Sequence, residues 1–275
     1  MNVDLHCHST ASDGLLKPAD VVARAAANGV TILALTDHDD LSGLAEARTE
    51  AKARGMRFVD GVEISVTWEG TTVHIVGLRI DPDNPVLRSG LESVREGRGK
   101  RAEKMGDALA AAGVPDSLTG AKTYAENPNL ISRSHFARHL VKTGHAQDVK
   151  SVFRHYLVKG KPGFVSHEWA ALADAVSWIR ASGGIAVIAH PGRYGFSKSD
   201  MQAFVARFRD CGGTGIEVVT GSHAPEQYAE FARVAREFGL LASRGSDYHG
   251  KGESRADLGD LPHLPGDLKP VWHDW

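Results

Sequence analysis

The chain is predicted to be an α/β protein: a closed or nearly closed β/α barrel interrupted by a helical insertion. Three observations lead there. Short apolar runs alternate with longer amphipathic segments, which argues for parallel strands with helices outside. About seven such runs occur, which suits a barrel better than a small open sheet; an open doubly wound sheet is the alternative. Histidines and carboxylates recur at the ends of these runs, where barrel enzymes collect their functional groups.

Residues 3–8 form the first predicted strand. In extended backbone Asp4, His6 and His8 share one face, while Val3, Leu5 and Cys7 share the other. Residues 18–28 read as a helix, with Pro18 near its start and Gly29 just past its end. Residues 31–36 are an almost continuous apolar run, suited to a buried parallel strand. A helix over 44–54 closes at Gly55, and strands follow over 58–65 and 73–80. The rhythm then breaks. Residues 85–162 are helical and charged, with helices expected over 94–112, 134–142 and 148–156. This stretch is read as an insertion that shapes the barrel mouth, leaving 1–84 and 163–275 for the barrel itself. Strands over 185–189, 215–220 and 240–243 alternate with helices over 170–182, 199–209 and 225–238. The tail from Leu258 onward is expected to wrap the surface.

Composition narrows the function classes. The 275 residues fit one large domain, or one with a modest insertion. A net charge of −2 with neutral histidines supplies no global basic field for nucleic acid. Cys7 and Cys211 lie far apart, which is no disulfide framework and suits a reducing cytoplasm. No leader or membrane-spanning run is read from the sequence. No P-loop, dinucleotide fingerprint or nucleophile elbow occurs, so the chemistry is expected to need neither a nucleotide cofactor nor a covalent serine.

The strand ends carry the chemistry. They present His6 and His8, Asp13 in the next loop, Asp37-His38-Asp39, Glu63, His190, Glu217 leading to His223, and Asp247-Tyr248-His249. His74 fits least well, because it stands near the start of its run. Taken singly, each has an ordinary alternative. An isolated histidine can be a hydrogen-bonded core residue, Asp13 a turn residue before Gly14, and Asp37, Asp39 and Asp40 caps for the next helix. Taken jointly, imidazoles and carboxylates at nearly every strand end mark a metal cluster with nitrogen and oxygen ligands. His139, His145, His155, His167, His263 and His273 lie in helical or tail segments and are left out. Cys7 and Cys211 are expected in the core.

With these residues in view, the chain resembles the PHP (polymerase and histidinol phosphatase) superfamily. The resemblance rests on His6-Cys7-His8-Ser9-Thr10, Ser12-Asp13-Gly14, Thr36-Asp37-His38, Glu63, His74, His190-Pro191 and Asp247-Tyr248-His249. It implies a distorted (β/α)7 barrel with three metal ions. By the same resemblance His6, His8, Glu63 and Asp247 would hold one ion. Glu63 would bridge to a second, completed by His74 and His190, and Asp13, His38 and His249 would hold the third. Mn2+ is the expected ion, with Zn2+ or iron as competitors.

Within the superfamily the chain is similar to the branch of 3',5'-nucleoside bisphosphate phosphatases and 5'-3' exoribonucleases, through Ile131-Ser132-Arg133 and Ala189-His190-Pro191-Gly192-Arg193-Tyr194. The implied reaction is removal of the 3'-phosphate by a hydroxide that the ions activate. Asp13 and His38 would serve catalysis, with His223 as ligand, phosphate contact or proton donor. The second phosphate needs cationic partners, for which Arg133, Ser134 and His135 form one candidate set and Arg193 another. The expected partner is a small nucleotide, with short RNA guided by the basic stretch 95–104 as an alternative. A histidinol-phosphate-type phosphatase, an amidohydrolase and a degenerate binding module are the other readings. No membrane partner is expected, and the chain is read as a monomer.

Overall fold

The computed structural model describes residues 1–275. In chain order the elements are β1 (Val3–Asp4), α1 (Pro18–Ala27), β2 (Ile32–Leu35), α2 (Leu44–Ala53), β3 (Arg57–Trp68) and β4 (Thr71–Leu78). The helical stretch follows as α3 (Pro85–Ala111), α4 (Ser117–Lys122), α5 (Arg133–Lys142) and α6 (Val149–Val152), the last running into a π-helical turn, Phe153–Leu157. The remainder is β5 (Ala170–Ala171), α7 (Leu172–Ala181), β6 (Ile185–Ile188), α8 (Lys198–Asp210), β7 (Gly215–Thr220), α9 (Pro225–Phe238) and β8 (Leu241–Gly245). The sheet order is β1-β2-β3-β4-β6-β7-β8, with β5 added beside β3. Backbone hydrogen bonds from Leu5 to Arg244 (3.0 Å), His8 to Tyr248 (2.9 Å) and Asp247 to His6 (2.8 Å) join the first and last strands. The expected seven-stranded barrel is therefore closed.

One strand runs against the expectation of an all-parallel sheet. β4 is antiparallel to both β3 and β6. The cause is local: Glu69 and Gly70 both adopt positive φ (44° and 75°), as a two-residue hairpin turn demands. The reversal explains His74. The start of an antiparallel strand lies at the same rim as the ends of its parallel neighbours, and His74 pairs with Ser65 there.

Alternate strand residues divide between two cores. Val3, Leu5, Ile32, Ala34, Val59, Val76, Leu78, Val187 and Ala189 cluster inside the barrel. Leu33, Leu35, Val62, Ile64 and Ile75 face the helices, against Val21, Val22, Ala47, Val176, Ile179, Phe204 and Phe208. Each such large side chain contributes about 1.5–3 kcal/mol when fully buried. Cys7 is buried as expected and its thiol points at the Ala34 carbonyl (3.2 Å), whereas Cys211 is only partly buried. The tail does more than wrap: Val271 is fully buried in the interior cluster, and residues 269 and 271 hydrogen-bond Ala242. It plugs the end of the barrel opposite the histidines.

The first helix of the insertion starts earlier than its charge pattern suggested. Asn84 caps it by accepting from the N–H groups of Val86 (3.0 Å) and Leu87 (3.1 Å), and Pro85 occupies the first turn. Leu87 and Leu91 pack into the main core. From Ala102 onward the helix instead joins Phe136, Leu140, Val152 and Leu157 in a second, smaller core. α3 thus belongs to both bodies and ties them together.

Candidate metal centre

The fold gathers all nine expected ligands at one rim. His6 and His8 follow β1, and His38 follows β2 in a bridge beside Glu63 of β3. His74 comes from β4, His190 from the end of β6, and Asp247 and His249 from the end of β8. Glu63 is the hub. Its Oε1 lies 2.9 Å from His74 Nδ1, 2.9 Å from His190 Nε2 and 3.4 Å from His6 Nε2. Its Oε2 lies 2.9 Å from His38 Nδ1 and 3.3 Å from His8 Nε2. Asp13 Oδ1 is 3.4 Å from His249 Nε2, and Asp247 Oδ1 is 3.4 Å from His8 Nε2.

The geometry fits cations better than it fits a self-satisfied polar cluster. Six buried side-chain atoms in the protein lack a hydrogen-bond partner, and five are here: Asp13 Oδ1, His38 Nδ1, Glu63 Oε2, His190 Nδ1 and Asp247 Oδ1. Buried polar atoms rarely go unpaired, because desolvation is then uncompensated. His38 Nδ1 and Glu63 Oε2 are close, but not aligned for a hydrogen bond. Two nitrogens also face each other, His6 Nε2 and His8 Nε2 at 3.2 Å. With His6 Nδ1 donating to Glu217 (2.7 Å), the neutral His6 ring offers its lone pair at Nε2. The donor atoms form four overlapping groups: His8, Asp13, His38, His249; His6, His190, Asp247; His6, His8, Glu63; and His38, Glu63, His74. Mixed imidazole and carboxylate donors suit a first-row divalent ion.

The carboxylates and imidazoles of the cluster shift one another's protonation. Burial pushes the carboxyls of Asp13, Glu63 and Asp247 up, but the imidazoles around them outweigh it and hold all three well below the usual range. Burial also opposes protonation of His6 and His8, yet adjacent carboxylates raise His6 well above 6.5 and His8 to about 9. His38 and His190 stay neutral, lowered by burial to about 4 and about 3.

A supporting layer went unassigned in the sequence. Glu217 on β7 binds His6 Nδ1 with one oxygen and the His190 N–H (2.6 Å) with the other. Asp37 is no helix cap; it accepts from Ser9 N (2.7 Å), Ser9 Oγ (2.6 Å) and Ser12 Oγ (2.5 Å), pinning the turn that carries Asp13. Helix α2 has Gly43 at its cap position with no side-chain partner. Asp39 pairs with Arg98 of α3 and with Ser65, and Asp40 accepts from Ser42. Arg138 of α5 pairs with Glu253 and donates to the Asp13 carbonyl. His190 and Asp247 both hold positive φ (25° and 54°), a strained backbone that surrounding contacts must enforce.

Above the cluster opens a cavity of about 910 Å3. Arg98, Arg101, Arg133, Ser134, Lys150 and Phe153 line its insertion side, and Arg193, Lys251 and Arg255 its barrel side. Arg101 is buried without a carboxylate partner, and burial plus neighbouring Arg133 and Arg98 bring it down to about 9. In the sequence it belongs to the basic stretch 95–104 of the charged insertion. Arg133 sits over the Phe153 ring (5.5 Å) and is likewise lowered, to about 10, by burial and by Arg193. Arg193 is half-exposed and reaches Asp247 (3.2 Å). Two expected residues lie elsewhere. His135 is buried beneath the cavity lining, its Nδ1 accepting from Ser132 N (3.1 Å) as part of the α5 cap. His223 stands behind the 191–193 turn, accepting from Gly192 N (3.0 Å) and stacking on Phe231. Its Nε2 is therefore engaged by backbone, and the ring braces the turn instead of facing the cavity.

A closed α/β barrel with this rim cluster defines a metal-site protein. Residues 4–221 match the PHP domain, and the chain belongs to that family. It is 52% identical over 99% of its length to a 3',5'-nucleoside bisphosphate phosphatase of Chromobacterium violaceum, covering 96% of that protein. It is 43% identical over 98% of its length to a 5'-3' exoribonuclease of Haemophilus influenzae, covering 97% of it. Among solved structures, one from Chromobacterium violaceum described as an amidohydrolase with bound sulfate and no metal superposes with a TM-score of 0.97 at 51% identity, over 100% of this chain and 95% of that one. A putative metal-dependent phosphoesterase from Bifidobacterium adolescentis superposes with a TM-score of 0.83 at 26% identity, over 98% and 93% of the two chains.

Proposed function

We propose that the chain is a metal-dependent phosphoesterase that removes the 3'-phosphate from nucleoside 3',5'-bisphosphates, such as adenosine 3',5'-bisphosphate. The observation that carries this reading is the juxtaposition of two unlike surfaces in one cavity. Its floor is a nine-donor His/Asp/Glu cluster with unpaired buried atoms, and its walls include the guanidinium groups of Arg101, Arg133 and Arg255, none of which pairs with a carboxylate. A substrate with two phosphates answers both. The resemblance to the Chromobacterium violaceum phosphatase supports the same substrate class.

Three divalent ions, Mn2+ first, are the expected occupants of the floor, and when bound they supply Lewis acidity and an acidified water. Glu63 holds the imidazoles of four strand ends in register. Asp13 and His38 line the cavity and would serve the reaction at the scissile phosphate. Arg133 and Ser134, with Arg101 beside them, would grip the second phosphate from the insertion, residues 85–162 acting as a cap. Arg193 at the opposite wall would close the clamp. The two unpaired thiols support a reducing cytoplasm; no helix is long and apolar enough to cross a membrane. We read the chain as a monomer.

A second reading has its own support. Lys150, Lys251 and Arg255 extend the cationic wall to the cavity rim, which suits short 5'-phosphorylated RNA. Mn2+-loaded protein assayed side by side on adenosine 3',5'-bisphosphate, a 5'-phosphorylated oligoribonucleotide and histidinol phosphate separates the readings. Phosphate release fastest from the bisphosphate is the expected result; nucleotide release from RNA alone would replace this proposal with the exoribonuclease. Asp13→Ala and His38→Ala should each slow the reaction by several orders of magnitude, and near-normal turnover in both would remove them from the centre.

A further inference from the structure

The loop that carries His38 is not held by the barrel alone. Arg98 of α3 is 5% exposed, and its Nε lies 2.7 Å from Asp39 Oδ2. Its Nη2 donates to Ser65 Oγ (2.7 Å), and the guanidinium lies over the Trp169 ring (4.8 Å). Arg95, one turn earlier, donates to the Asp39 carbonyl (2.7 Å). Asn127, from the same insertion, donates to Asp40 Oδ2 (3.2 Å). Three side chains of the insertion thus grip residues 39 and 40.

Asp39 is an unusual residue to grip. It is fully buried, directly follows His38, and takes a φ of 51°, which L-residues adopt only when held there. Its carboxylate accepts from Ser65 N (2.7 Å) and Ser65 Oγ (3.0 Å). Its N–H donates to the Glu63 carbonyl (2.9 Å), while Glu63 N–H donates to the Asp37 carbonyl (3.2 Å). Residues 37–39 therefore continue the β2 edge against β3 around Glu63. That pairing sets His38 Nδ1 2.9 Å from Glu63 Oε2. A buried carboxylate in this role needs its counter-charge, because an unpaired one is strongly destabilising.

We propose that Arg98 is a positioning residue of the metal centre: by pairing with Asp39 it fixes the left-handed turn that aims His38, making the helical insertion part of the metal site's framework. This rests on the metal-dependent reading above. It assigns α3 two duties one turn apart, Arg98 directed at the ligand loop and Arg101 at the cavity.

The test is Mn2+ binding to the full chain, followed by calorimetry, metal analysis after desalting, and the electron paramagnetic resonance of the bound ions. Arg98→Met should weaken by about 10–100-fold the same class of ion that His38→Ala weakens, leaving the other classes near wild type. Arg98→Lys, which keeps the charge, should recover part of the loss. Arg98→Met with Asp39→Asn should bind better than Arg98→Met alone, because the bare carboxylate is gone while the Asn oxygen can still accept from Ser65. The Lys variant and the double variant also carry the test should Arg98→Met not fold. Unchanged Mn2+ affinity and spectrum in Arg98→Met, or a uniform loss across all ion classes, would overturn the inference alone. Wild-type protein that binds no Mn2+ would overturn the metal-dependent reading and this inference with it.

Discussion

Replacing Glu217 by Gln should cripple one metal position in a protein that remains folded. The two oxygens of Glu217 serve two donors: Oε1 takes the His6 Nδ1 proton at 2.7 Å and Oε2 the His190 N–H at 2.6 Å. Gln has one acceptor and one donor. The backbone N–H of His190 cannot change character, so the Gln oxygen must face it and the NH2 must face His6. His6 then has to accept at Nδ1, which moves its proton to Nε2. Nε2 is the atom 3.2 Å from His8 Nε2 and 3.4 Å from Glu63, the direction in which a ligand lone pair is needed. A second-layer change of this kind weakens metal binding about 10–100-fold, equivalent to about 1.4–2.7 kcal/mol. Glu217→Ala is harsher, because two buried donors lose their partner at about 1–3 kcal/mol each. Calorimetric titration of Mn2+ into chelated protein measures the first effect and thermal melting of the metal-free protein the second. Glu217→Gln that binds the full complement of ions with wild-type affinity would refute the tautomer argument, and a Glu217→Ala melting temperature equal to wild type would refute the burial argument.

Three further outcomes are expected. Chelation should lower the melting temperature, since ligand at 100 times its dissociation constant stabilises by about 2.7 kcal/mol; scanning fluorimetry with and without Mn2+ reads this directly, and no shift would argue against a metal-loaded native state. His223 should make the protein acid-sensitive. Burial lowers it from 6.5 to about 4, against weaker opposition from the Val218 carbonyl and then Asp247, so the unfolded chain takes up a proton where the folded one does not. Its contribution is intact above pH 6.5 and is lost as pH falls toward 4, about 3 kcal/mol in all. Urea unfolding of metal-free His223→Gln should show a shallower decline over that window, and a slope equal to wild type would count against it. Arg133→Ala should raise KM for a nucleoside bisphosphate far more than for a monophosphate, with Arg101→Ala doing the same; equal effects on both substrates would take these residues out of the second phosphate site.

What could be read from the sequence depended on whether a residue's partners were near it in the chain. His6 and His8 were legible because an i, i+2 pair in a strand declares a shared face, and the barrel rhythm placed the other ligands at strand ends. His74 looked out of place only because an antiparallel strand was not foreseen, although Glu69-Gly70 between two apolar runs is a hairpin signal. Glu217 was visible on its strand, but its two partners stand 211 and 27 residues away, and nothing local announces such a bond. His223 failed for the opposite reason. Its neighbours in sequence suggested the rim, whereas stacking on Phe231 and the Gly192 N–H turned the ring away from the cavity. Arg98 and Arg101 share this fate on one helix. Both looked like exposed charge in a polar run, yet α3 lies with one face against the barrel, so one side of the same basic stretch is buried. Charge patterning reports which residues are polar, but only packing decides which of those charges must find a partner. In this chain Arg101 and Arg133, neither paired with a carboxylate, converge on one cavity. That convergence, more than the basic run itself, is what an anionic substrate would recognise. Neutralising exposed Lys100 should therefore leave KM for the bisphosphate unchanged, while neutralising buried Arg101, one residue further along the same helix, should raise it.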